Sequence, residues 1–286
     1  MSVKEILLGK LDPRNIENED YDLVTHLLDA YCVDDIKLND QDSKEQDKEK
    51  PDGTMKQTAV FGRDVNELEC TKLKGYKSEI PNILITLKDA LYKYEGHLIQ
   101  GIFRKAAKKS KVKQIKDMID DGLLYDIDFT EIDGKIIAQL IKLWYRECPI
   151  LVLDGISEDM IERVETITDA QGVIDIMNQP QISYYYWLID LCLEIEKYSD
   201  INLMNYKNMA VVLAPNLYDI TNIKSQTYPS SVIQFMSLCV ELRMEQKHLD
   251  EANKIMDELV FDNQMNSIDF NSSEQITTPT KPDIPL

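Results

Sequence analysis

GKIIAQLIKLWYRECP, residues 134–149, is the stretch on which the fold turns. Ile136, Ile137, Leu140, Leu143 and Trp144 recur at the three- and four-residue spacing of a helix that buries one face. Gly134 opens the pattern and Pro149 closes it, because the residue before a proline is driven out of the helical region. Similar stripes lie on both sides. Pro81 followed by Ile83, Leu84, Leu87 and Leu91 predicts a helix with proline in its first turn, where a missing amide does no harm. Val112, Ile115, Met118 and Ile119 predict a second; Tyr185, Leu188, Ile189, Cys192 and Ile195 a third. Met204, Met209, Val212 and Leu213 predict another, ended by Pro215. Ser230 or Ser231 is placed to cap a long last helix, or helix pair, running through Val240 to Leu259. With ten glycines and ten prolines the chain is also poor in hairpin turns. The fold class expected is all-α.

The organisation that follows is a short N-terminal helical segment over 1–33, in which Val24, Leu27, Leu28 and Tyr31 share one face. An acidic flexible linker spans 34–55, a helical domain 56–261 and a disordered tail 262–286. Between Asp34 and Asp52 there are eight acids and four lysines, too little apolar surface to order the segment. The five cysteines stand far apart and read as reduced thiols. None of the three histidines has a partner at metal-ligand spacing, so no metal or cofactor is expected. No run of about 18 apolar residues is present and the N-terminus lacks a signal-peptide core, so no transmembrane segment and a cytoplasmic location are expected.

Against this acidic background one segment has the opposite sign. Arg104, Lys105, Lys108, Lys109, Lys111, Lys113 and Lys116 crowd into residues 101–116 without an acid, although the whole chain stands at −19. Such a knot selects an anionic partner. Gly101-Ile102-Phe103 just before Arg104 suggests a guanidinium presented from an apolar anchor. Nucleic acid is disfavoured by the net charge and by the lack of aromatics among the lysines.

Two further features admit two readings each. Lys142 and Arg146 are one helical turn apart, opposite Ile136, Ile137 and Leu140. They form either a solvated face or a site awaiting an anion or backbone carbonyls. Asn216 follows Ala214-Pro215, where it is either a turn cap or an exposed amide in a non-helical position.

In order and spacing these elements resemble the Rho GTPase-activating (RhoGAP) domain family. The matching pieces are Phe61-Gly62, the helix after Pro81, and Gly101-Ile102-Phe103-Arg104 with Ser110-Lys111-Val112. Further along come Lys142-x-x-x-Arg146-Glu147-x-Pro149, then Asn202-x-Met204 and Asn208 to Leu217 with Pro215-Asn216. The chain departs from the family in Ala106-Ala107, where Ser-Gly is common, and in Cys148-Pro149-Ile150. Nothing in residues 1–55 resembles a lipid-binding, kinase or SH3 module.

The resemblance implies a GTPase activator, not an independent enzyme. Its partner would be a GTP-bound Rho/Rac-type GTPase that also recruits it to membranes. Arg104 would be the arginine finger and catalytic contribution. Lys142 and Asn216 would touch the GTPase switch surface, and Arg146 would support the finger loop. Lys105, Lys108, Lys109 and Lys113 would steer the encounter. The alternative is a catalytically silent binding module or scaffold of the same fold; a phosphoinositide binder built on the lysines is a third.

Overall fold

The structure, a computed structural model, describes residues 58–273, with side chains through Met256. The N-terminal helical segment, the linker and residues 274–286 lie outside the described residues.

The chain enters through a two-residue antiparallel pair, β1 (Cys70–Thr71) and β2 (Ile80–Pro81), with Cys70 opposite Pro81. Pro81 is the cap of the next helix, α1 (Asn82–Lys93), rather than a member of its first turn. Ile83, Leu84, Leu87 and Leu91 are buried along α1. Next come α2 (Lys109–Asp120), which buries Val112, Ile115 and Ile119, and α3 (Gly134–Glu147). Asp133 starts α3 by accepting the Lys135 amide at 2.9 Å.

Further along lie α4 (Glu158–Glu162), α5 (Ile167–Ile176), α6 (Gln181–Glu196), α7 (Ser199–Asn202) and α8 (Tyr206–Leu213). The last, α9, spans Tyr228–Ser273. It begins before either serine foreseen as its cap. Ser230 and Ser231 instead sit in its first turn, where their hydroxyls donate back to the Thr227 carbonyl. It also continues to Ser273, into the segment read from composition as tail.

One compact unit ends at Glu241 and a second begins at Leu242. In the first, α3 lies at the centre, packed on α1, α2, the 3₁₀ turn Gly96–Leu98 and the 3₁₀ turn Ala214–Asn216. Trp144 meets Tyr145 and Tyr184 edge-on at 5.0 and 5.6 Å, and the Tyr145 hydroxyl donates to the Tyr184 carbonyl at 2.6 Å. Tyr185 of α6 stacks on Phe235, which α9 buries together with Val232, Met236, Cys239 and Val240. Cys70, Cys148, Cys192 and Cys239 are free thiols, and burial pushes Cys148 and Cys239 up to about 12. In the second unit Leu249, Ile255 and Met256 are exposed.

The start of α3 depends on the absence of a side chain. A Cβ at Gly134 would stand 2.6 Å from the Gly96 Cα, so the two backbones touch where the chain turns toward Gly101. Gly134→Ala is therefore expected to destabilise the domain by about 1–3 kcal/mol, because neither main chain can yield cheaply. Chemical denaturation measures it; an unchanged midpoint would mean that the contact relaxes freely.

Candidate functional site: an arginine loop on a buried lysine

After the Gly96–Leu98 turn the chain makes a tight loop around Gly101. Gly101 has φ +70°, a conformation that suits glycine, and its carbonyl accepts from both the Arg104 amide (3.0 Å) and the Lys105 amide (2.8 Å). Its own amide donates to the Asn202 carbonyl at 2.7 Å. Ile102 and Phe103 are 0% and 1% exposed, so the tip of the loop is driven into the core. Phe103 holds φ +65°, which costs a non-glycine residue on the order of 1 kcal/mol and persists only where the surroundings enforce it. The buried ring is one restraint. The other is the ammonium of Lys142, which donates to the Phe103 carbonyl at 2.7 Å.

Arg104 comes next. It is half-buried, and its guanidinium makes no hydrogen bond or ion pair with another of the described residues. A buried Ile-Phe anchor followed by an uncommitted guanidinium leaves five N–H donors for an anion.

The remaining sequence candidates fall into two groups. Lys105, Lys108, Lys109, Lys111 and Lys113 are exposed. Lys108, Lys109 and Lys111 cluster at the start of α2, the positive end of its dipole, with no acid in the first turn. Cations there oppose the helix dipole by a few tenths of a kcal/mol or more, and an anionic partner would relieve that cost. Lys116 differs. It bonds Asp120 at 2.8 Å and reaches Glu147 of α3 at 3.5 Å. Burial alone would lower its pKa, but the Asp120 hydrogen bond and the two carboxylates raise it. Asp120 also accepts the Val60 and Phe61 amides, so this corner is structural.

Lys142 and Asn216 are both buried, and each follows one of its two readings. The pattern placed Lys142 opposite the apolar stripe of α3, yet it is 9% exposed, because the arginine loop covers that face. Of its two readings the structure has the backbone-carbonyl one. Its ammonium is engaged under the loop by the Phe103 carbonyl. Asn216 is not exposed either. At 6% exposure it donates to the Val212 and Leu213 carbonyls, both at 3.1 Å, because Pro215 passes into a 3₁₀ turn that folds the amide back over the end of α8. Arg146 is half-buried, with Glu147 beside it. Desolvation raises the pKa of Glu147 against the pull of Lys116 and Arg146.

Sequence reading did not single out Asn202 as a site residue. It is 0% exposed; its amide donates to the His97 and Ile195 carbonyls, both at 3.0 Å, and its side-chain oxygen accepts the Met204 amide at 2.8 Å. The one available signal was its place in the Asn-x-Met segment.

The family model of the RhoGAP domain matches residues 71–222, more than half of the chain and all of this site. The chain belongs to the RhoGAP domain family. Rho GTPase-activating protein gacA of Dictyostelium discoideum is 34% identical over 65% of the chain and 52% of its own length. Rho GTPase-activating protein 1 of Arabidopsis thaliana is 26% identical over 68% of the chain and 43% of its length. The chain thus spans about half the length of these curated relatives, or less. The crystal structure of human Rho GTPase activating protein 15 superposes with a TM-score of 0.55 at 16% identity, over 66% of the chain and 92% of that structure, a likeness of fold alone. Among the described residues of this RhoGAP domain no group of His, Cys, Asp or Glu could hold a metal ion. No described helix is long and apolar enough to cross a membrane.

Proposed function

We propose that this chain accelerates GTP hydrolysis by a GTP-bound Rho- or Rac-type GTPase, inserting Arg104 into the partner's active site. One observation carries the reading: Arg104 follows two fully buried residues in a loop whose main chain is tied at both ends, and its own guanidinium has no partner among the described residues. Family membership supplies the partner class.

The chemistry follows from charge. In phosphoryl transfer negative charge spreads over the transferred group's oxygens, and a small GTPase alone neutralises it poorly. A guanidinium supplied in trans donates to several of those oxygens and cannot lose its proton. For the Ras activator such an arginine gives a factor of ~10³–10⁵, or about 4–7 kcal/mol of barrier. Lys142 and Gly101 act on the loop, not on the phosphates: they fix the main chain so that the arginine arrives without reordering it.

The test is single-turnover phosphate release from a panel of GTP-loaded small GTPases. Acceleration confined to Rho-family members is expected. Binding without acceleration by any of them would leave only the scaffold role.

The lysines add a kinetic prediction. Charge reversal at Lys108, Lys109 and Lys113 together should lower the association rate about tenfold at low salt and much less at physiological salt. Exposed charges act through a screened field. Stopped-flow binding at two ionic strengths reads this directly. An unchanged low-salt rate would remove steering from the account.

A further inference from the structure

We infer that Asn202 is a positioning residue for the arginine loop, acting through the main chain on the placement of Arg104. The inference rests on the finger reading of Arg104 and extends it to a residue with no exposed atom of its own.

Asn202 is the last residue of α7, and the residue after it, Leu203, has φ +60°. Left to itself a leucine disfavours that conformation, so something must hold the turn. The Asn202 side chain does so. Its oxygen accepts the Met204 amide across the turn, while its amide donates to Ile195 at the end of α6 and to His97 in the Gly96–Leu98 turn. With all three bonds made, the side chain is fixed and the peptide carbonyl that follows it points one way. That carbonyl accepts the Gly101 amide at 2.7 Å. The same residue thus grips the arginine loop twice: by side chain at His97, where the approach begins, and by main chain at Gly101, where the loop turns. Gly101 in turn carries the Arg104 and Lys105 amides. The path from Asn202 to Arg104 is a run of direct main-chain hydrogen bonds.

No shorter or differently charged side chain makes this set. Aspartate keeps the acceptor for Met204 but offers a carboxylate where two carbonyls need a donor. Serine is too short to reach all three partners. Either change should let the Gly101 turn wander while Ile102 and Phe103 stay in the core.

The experiment uses the full chain and a purified Rac GTPase. Asn202→Asp and Asn202→Ser are each made alone and together with Arg104→Ala. Three quantities are read: the maximal single-turnover rate at saturating activator, the Kd for the GTPase loaded with a non-hydrolysable GTP analogue, and exchange of the Gly101 amide. Each single variant is expected to lose at least tenfold in rate, keep Kd within threefold and exchange Gly101 faster. In the Arg104→Ala background the same changes should alter the residual rate less than twofold, since residues acting as one unit are not additive.

The inference is overturned if the rate loss persists undiminished without Arg104, or if Kd rises as much as the rate falls. It also fails if a folded variant keeps the wild-type rate while Arg104→Ala has lost it. Should neither variant fold, Gly101 in the wild-type protein still decides: exchange at the speed of an unstructured peptide rules the bond out, and strong protection supports it. An Arg104→Ala protein as active as wild type would instead sink the finger reading itself, and this role with it.

Discussion

Arg104→Ala is expected to remove most of the acceleration of GTP hydrolysis, a hundredfold or more, while affinity for the GTP-bound partner stays within a few-fold. The reason lies in when the interaction forms. An arginine that meets charge developing in the transition state lowers the barrier without adding comparably to ground-state binding. The surface around it is undisturbed, because none of the bonds that hold the loop uses the guanidinium. Lysine at this position should restore only a small part of the rate, a point charge on a flexible stem replacing a planar fork. Turnover and binding are measured on the same GTPase, with a GDP–aluminium fluoride complex beside the non-hydrolysable analogue. Binding to the transition-state mimic should weaken far more than binding to the analogue. A mutant within threefold of the wild-type rate would end the assignment of Arg104.

Lys142→Met should lower both the rate and the stability, by at least tenfold and about 1–3 kcal/mol. Methionine matches the length and apolar stem of lysine but leaves the Phe103 carbonyl without its ammonium donor. A buried carbonyl stripped of its partner costs the desolvation that the bond had offset. The strained Phe103 turn loses one of its two restraints at the same time. Arginine is no remedy, since its broad fork does not fit where a single ammonium sits under the loop. Thermal denaturation and single-turnover hydrolysis give the two readouts. A protein of unchanged stability whose only defect is weak GTPase binding would return Lys142 to the partner surface implied by the family resemblance.

These two residues show what the sequence made legible. The helices could be read because each stripe is local: Leu84, Leu87 and Leu91 specify their shared face without knowledge of the rest of the chain. The arginine loop was legible for the same reason, its anchor and its charge being adjacent. Lys142 was harder. Helical periodicity says which residues share a face, but not what covers that face, and α3 is surrounded. Asn216 had two readings, a turn cap or an exposed amide, and the structure has the first, because Pro215 carries the chain through a 3₁₀ turn that folds the amide onto the end of α8. Asn202 was illegible as a support because its partner carbonyl at His97 is 105 residues away in the sequence. Toward the C-terminus α9 continues to Ser273, through residues whose polarity suggested a tail.

The loop's dependence on main-chain atoms has a consequence for inheritance and for use. Gly101 and Phe103 are fastened through their amide and carbonyl groups, so none of these bonds depends on the side chain at 104. On the proposed finger role of Arg104, catalysis and shape are therefore separable by a single codon. A variant altered only there would be a decoy of unchanged outline, occupying the active GTPase and shielding it from competent activators. On the same reading, its effect in a mixture with the wild-type protein would be dominant rather than a simple loss.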